Sequence, residues 1–130
     1  MTESPILLQS RDARGVLTLT MNDPARFNAL GDEMLAALQA ALAAAAQDES
    51  LRAVVLAANG RAFCAGHNLK DMAAHPDKAW YQDLFQRCTK VMLAIQKLPV
   101  PVIARVHGMA TAAGCQLVAQ CDLAVASTEA

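Results

Sequence analysis

Two short segments carry small residues where a main chain could approach a ligand: Ala65-Gly66-His67 and Ala112-Ala113-Gly114-Cys115. Glycine and alanine put nothing larger than a methyl group in the way, and they leave amide N–H groups accessible as donors. The second segment opens a predicted helix, where unsatisfied amides and the helix dipole both favour negative charge. A donor from this helix start and another from Gly66 or His67, converging on one oxygen, would stabilise an enolate or a tetrahedral oxyanion. Each such donor is worth about 3 kcal/mol of barrier. Small residues after a strand also serve tight helix–sheet packing, and packing is the better account of either segment alone. The two together, with their surrounding residues, argue for a site.

The neighbouring side chains limit the chemistry. Gln116 lies on the second turn of the same helix, and its amide can orient a water or a carbonyl but cannot act as a general base. Cys64 and His67 form a C-x-x-H pair, yet no second pair follows at zinc-finger spacing, so no metal is expected. A lone loop histidine such as His67 is read first as structural or solvated and second as a proton-transfer group. His75 and His107 have no carboxylate partner in sequence and are read as structural. Asp32, Asp71, Asp77 and Asp83 fall near helix starts or exposed faces, where capping and solvation explain them.

The elements that must position these segments are legible from periodicity. Residues 5–10 and 15–22 read as a hairpin, with Leu17, Leu19 and Met21 alternating against Thr18 and Thr20. Asn22-Asp23-Pro24 ends it, and an irregular stretch carries Arg26, Phe27, Asn28 and Ala29. A helix capped by Gly31 or Asp32 runs to about residue 47, with Leu35, Leu38, Leu42 and Ala45 on its apolar face. Residues 51–58 form an almost unbroken apolar run, which suits a strand covered on both faces. A loop spans Gly60 to Asn68, and Pro76 opens a second helix to Leu98, closed by Pro99 and Pro101. Within it, Met92 and the apolar residues between Leu84 and Leu98 are read as packing. Residues 102–107 read as a strand, 113–120 as a helix and 122–126 as a strand. Twice, then, a buried strand leads through a small-residue loop into a helix. In a mostly parallel sheet such loops gather at the carboxyl ends of the strands, where ligands bind.

Bulk properties exclude several classes. A chain of 130 residues with 55% hydrophobic and 18% charged residues and a net charge of -1 reads as one globular domain, without the basic excess that nucleic acid demands. The longest apolar stretch, Met34 to Ala46, is interrupted by Gln39 and is too short to span a membrane. The opening Met-Thr-Glu-Ser-Pro has neither secretory nor transit-peptide character, so a cytoplasmic protein is expected. Cys64, Cys88, Cys115 and Cys121 show no disulfide-framework spacing, and reduced thiols are expected.

Phe63-Cys64-Ala65-Gly66-His67-Asn68-Leu69, His107-Gly108-Met109-Ala110-Thr111-Ala112-Ala113-Gly114-Cys115-Gln116-Leu117 and Cys121-Asp122-Leu123-Ala124 strongly resemble the crotonase (enoyl-CoA hydratase/isomerase) family. The first is similar to that family's F-x-A-G-x-D-L loop and the second to its N-G-x-A-x-G-G-G-x-E-L loop. Arg26-Phe27-Asn28-Ala29-Leu30 stands where the family has an N-A-L segment. The resemblance implies an α/β fold, a crotonase-like spiral of repeated ββα units, of which residues 1–130 would be the N-terminal portion. It implies a lyase or isomerase acting on an acyl-CoA thioester, with the oxyanion held by the amides of His67 and Ala113. CoA-binding positions would fall at Arg26, Ala29, Ala65, Gly66, Asn68, Leu69 and Gly114. The adenine would lie beside Asn68 and Leu69, and Arg26 would meet a phosphate. Coenzyme A is then part of the substrate and no further cofactor is implied. A homotrimer or dimer of trimers is the implied assembly.

The chain departs from the family pattern in ways that bear on activity. Gln116 stands at the position of the first catalytic glutamate, so ordinary two-glutamate hydration is not expected, whereas a one-base isomerase, a decarboxylase or a non-catalytic acyl-CoA-binding paralogue fits. Family members run to about twice this length, and their second acid/base residue would fall past Ala130; the chain is therefore expected to be an N-terminal portion of a longer protein rather than a short paralogue, with an inactive fragment as a further alternative. Asn68 replaces an aspartate, and Ala112-Ala113 replaces two glycines.

Overall fold

The computed structural model describes residues 4–130. The hairpin forms from β1 (Leu7–Arg11) and β2 (Val16–Met21), antiparallel and in register with Leu7 opposite Met21. After a 3-10 turn at Pro24–Arg26 comes α1 (Asp32–Ala46), entered through an extended Gly31 that offers no side-chain cap. Asp32 and Glu33 in its first turn complement the helix dipole instead. β3 (Ala53–Ala58) joins β2 in parallel. A short β4 (Ala62–Cys64) precedes α2 (Leu69–Ala74) and the long α3 (Lys78–Lys97). β5 (Val102–Val106), a two-residue β6 (Met109–Ala110), α4 (Ala113–Gln120) and β7 (Leu123–Ala126) complete the order. The main sheet runs β1-β2-β3-β5-β7, parallel from β2 onward, and β4 with β6 makes a second, two-stranded parallel sheet.

One face of the main sheet supplies the core. Leu19, Leu56 and Ala104 lie abreast across β2, β3 and β5, and all are buried. They join a single apolar cluster with Leu35, Leu38 and Leu42 of α1, Val91 and Ile95 of α3 and Leu117 of α4. The opposite face carries Thr18, Val55 and Ile103, half-buried, and an exposed Arg105. The apolar run in β3 is therefore covered fully on one side and partly on the other, contrary to the expectation of a strand enclosed on both. The three larger helices contribute to the same cluster, so their burial falls on one face.

Two further expectations are corrected. The helix foreseen from Pro76 is preceded by a separate short one, α2, and starts instead at Lys78, where the Asp77 side chain accepts from the Ala79 amide. Proline disfavours helical angles in the residue before it, and His75 sits at φ −126°, ψ 69°, which breaks α2 from α3. The loop foreseen from Gly60 to Asn68 contains β4, and β6 lies in the loop after His107. Strands of two and three residues are too short for any periodicity to mark them. Among the described residues no helix is long and apolar enough to cross a membrane.

Because Leu38 is 1% exposed within the cluster joining α1 to α3 and the sheet, Leu38→Ala should cost roughly 2–5 kcal/mol, read as a lowered denaturant midpoint at unchanged m-value.

Candidate functional site

The small-residue segments meet at the carboxyl ends of β3 and β5, and the short second sheet is what joins them. Cys64 pairs with Ala110, and the Thr111 amide donates to the Cys64 carbonyl at 3.1 Å. Gly66 adopts φ +89°, and a Cβ there would sit 3.0 Å from the Ala112 methyl and 3.1 Å from the Ala113 nitrogen. At Gly114 a Cβ would collide with the Cys64 carbonyl oxygen. Both glycines are therefore contact points between the two loops. Both are buried, and neither is among the residues that border the two clefts described below.

The amide of Ala113 lies beside the Gly66–His67 segment by this geometry. Gly114 donates to Thr111 and both Cys115 and Gln116 donate to Ala112, whereas among the described residues the amides of Ala113 and His67 have no acceptor. Ala112 itself holds φ 53°, ψ −126°. That conformation is foreign to an L-residue and costs on the order of 1–3 kcal/mol, which the packing around it must offset. Alanine thus occupies a backbone turn that glycine would make freely.

A third segment braces the pair. The Ala65 amide donates to Phe27 at 3.0 Å and the Leu30 amide to Gly66 at 2.7 Å. His67 Nδ1 lies 3.1 Å from the Leu30 carbonyl. Phe27 and Asn28 both take positive φ, 52° and 54°, so the chain doubles back between Arg26 and Leu30. Asn28 is fully buried, and its side chain holds the turn. Nδ2 donates to the Asn59 and Ala62 carbonyls at 2.8 and 3.1 Å, and Oδ1 accepts from the Asp23 amide at 2.8 Å. Asparagine tolerates the left-handed region better than other non-glycine residues, which suits it to this place.

Two clefts open over these loops. The larger, about 560 Å³, is bordered by Arg26, Ala29, Ala65, His67, Asn68 and Leu69, together with Phe27 and Phe85. Its rim is apolar and exposed: Leu69 is 76% accessible, Phe27 47% and Phe85 46%. The smaller, about 380 Å³, is bordered by His67, Ala113 and Gln116 on the loop side and by Phe85, Cys88 and Thr89 of α3. His67 and Phe85 border both, with ring centroids 5.4 Å apart. The apolar residues among them, Phe85 and Cys88, belong to the set expected to serve packing. Their i, i+3, i+4 spacing marks one helical face and cannot tell a face that meets a core from one that meets a cleft.

Individual side chains are tied up in local duties. Asn68 caps α2, accepting from Lys70 and Asp71. Arg26 is 64% exposed and loosely paired with Asp23 at 3.5 Å. Burial pushes the Cys64 thiol up to about 11 and raises that of Cys88, so both are neutral thiols at physiological pH rather than nucleophiles.

Residues 11–130 match the family model described as Enoyl-CoA hydratase/isomerase. The chain belongs to this family, the crotonase superfamily. It is 47% identical over 113 residues to "Enoyl-CoA hydratase domain-containing protein 3, mitochondrial" of Xenopus laevis, covering 87% of this chain and 38% of the relative. The protein of that name from Rattus norvegicus is 41% identical, with 95% and 41% covered. The crystal structure of enoyl-CoA hydratase from Mycobacterium smegmatis superposes with a TM-score of 0.93 at 69% identity, covering 95% of this chain and 48% of that one. The chain thus spans about two fifths of the length of these curated relatives and about half that of the solved structure, and the fold is a truncated crotonase-like one, as the motifs implied. The expectation of a cytoplasmic protein is overturned, since the relatives from Xenopus laevis and Rattus norvegicus are named as mitochondrial. A compartment address is carried by a dedicated segment read by a receptor, and the composition of a folded domain does not record it.

Removal of the Asn28 amide would leave the Asn59 and Ala62 carbonyls and the Asp23 amide unpaired at a positive-φ position. Asn28→Ala should therefore destabilise by about 3 kcal/mol, seen in thermal or chemical unfolding, and should loosen the loops of both clefts.

Proposed function

We propose that this protein binds an acyl-CoA thioester and stabilises its enolate between the amides of His67 and Ala113. The observation that carries this reading is the pair of amides without an acceptor, on two interlocked loops whose residues His67 and Ala113 border the smaller cleft. The larger cleft, with its apolar rim, accommodates the coenzyme A moiety, with the adenine by Asn68 and Leu69 and a phosphate drawing Arg26 away from its weak pairing with Asp23. The smaller cleft takes the acyl group. Developing charge on the thioester oxygen then falls between two fixed donors, one of them at a helix N-terminus, where it needs no solvent reorganisation. Ala29 and Ala65 border the larger cleft with short side chains, while Gly66 and Gly114 set the spacing of the donors from below. Coenzyme A belongs to the substrate in this reading, and no other cofactor enters. Assembly as a homotrimer or dimer of trimers is proposed with it, on the family resemblance.

Gln116 borders the acyl cleft in the position where the family motif has its first glutamate. A side-chain amide can hold a water or the substrate but cannot carry a proton away and return it. Isomerisation through a single base elsewhere fits this site better than addition of water by two carboxylates. The same residue favours a second reading, a non-catalytic acyl-CoA-binding protein that keeps the pocket and has lost proton transfer.

Calorimetric titration with a short enoyl-CoA, followed by the absorbance of the conjugated thioester, separates these readings. Binding with turnover is expected for an enzyme, and binding without turnover selects the non-catalytic protein. Gln116→Glu should introduce or raise hydration if the amide is what excludes it. No binding at all would overturn both.

A further inference from the structure

We infer that the imidazole of His67 is a catalytic residue, the group that takes and returns the proton α to the thioester carbonyl; this rests on the acyl-CoA reading above. The Leu30 carbonyl lies 3.1 Å from Nδ1 of His67. A carbonyl oxygen can only accept, so in the neutral ring the single N–H must be on Nδ1, and Nε2 carries the free lone pair. Leu30 is itself anchored, its amide donating to Gly66 at 2.7 Å, so the tautomer is held by a short closed circuit within the loop pair. Nε2 has no partner among the described residues. None of their buried side-chain nitrogens or oxygens lacks a partner, so Nε2 reaches open space rather than the core. The space beside His67 is the two clefts, both of which it borders. Phe85 packs against the ring at 5.4 Å and limits its swing.

Position and chemistry then coincide. A thioester spanning the two clefts has its carbonyl and α-carbon at their junction, beside the residue whose own amide is one of the oxyanion donors. Nε2 takes the α-proton as the C–H electron pair moves into the enolate, whose oxygen charge is met by the amides of His67 and Ala113. The imidazolium then returns a proton to the same carbon, which exchanges the label, or to the γ-carbon, which moves the double bond. No electron acceptor is needed, and the carbon skeleton is unchanged. Gln116 shares the smaller cleft as a hydrogen-bonding neighbour that cannot compete for the proton. A basic nitrogen thus stands in the cleft where the family motif's glutamate is missing, contributed by the other loop.

The direct test is α-proton exchange of butyryl-CoA in deuterium oxide, followed by nuclear magnetic resonance beside calorimetric binding of the same compound. The unmodified protein should bind and exchange. His67→Asn retains a donor near the place of Nδ1 for Leu30 but has no equivalent of Nε2; it should bind butyryl-CoA comparably and exchange about 100-fold more slowly or worse. His67→Ala should show the same loss, with exchange partly restored by added imidazole. Exchange within about threefold of the unmodified rate in either variant would overturn the proposal. So would binding without exchange by the unmodified protein, while leaving the acyl-CoA reading intact. Failure of the unmodified protein to bind butyryl-CoA would sink that reading and the proposal with it.

Discussion

The approach of α4 to the backbone of β4 is the contact on which the rest of the site depends. Gly114 meets the Cys64 carbonyl with only a hydrogen between them, and one residue of side chain would force the helix away. That closeness lets Thr111 bond to Cys64 and brings Gly66 against Ala112 and Ala113. Two loops separated by about forty residues of chain thereby become one rigid body. A site built from backbone amides needs such rigidity, because an amide cannot reach for its ligand as a long side chain does.

The cost of this arrangement is visible in the backbone. Phe27, Asn28 and Ala112 all take positive φ, and each adjoins the loop pair. Phe27 and Asn28 are held by the buried amide network around Asn28, and Ala112 by the packing of α4 on β4. Strain is concentrated beside the unpaired amides of His67 and Ala113 and is offset by burial around it. The parallel main sheet supplies the frame: it ends β3 and β5 at the same level, so that both crossovers start from one edge.

The outer side of β7 has a different character. Leu123 and Val125 are 62% and 64% exposed, and the strand pairs with β5 alone among the described strands. An apolar edge strand without lysine, proline or a bulge is an open template for pairing. The row that buries Leu19, Leu56 and Ala104 continues to an exposed Ala124, so the core thins toward this edge. The cleft residues lie on the loops and α3, and the apolar cluster beneath them includes Phe63, Cys64 and Leu117.

The hairpin, α1, the strands at β3, β5 and β7 and the helix at α4 are legible in the amino-acid sequence, because in each the apolar period or an unbroken apolar run is long enough to read. The family is legible too, through motifs whose small residues are unusual in combination, and so is the presence at position 116 of an amide that cannot carry a proton, which is a matter of residue type alone. That Gly66 and Gly114 serve the contact between loops emerges only on folding, since a glycine's role depends on what stands opposite it. The short strands β4 and β6, whose pairing joins the loops, were invisible because two or three residues carry no period. The face of α3 that borders the smaller cleft could not be told from a core face by spacing. Read in sequence as a lone loop histidine, His67 acquires a defined tautomer from a carbonyl thirty-seven residues away. Such a distant partner exists only once the chain is folded, which is why residue type and spacing alone leave that side chain read first as structural or solvated.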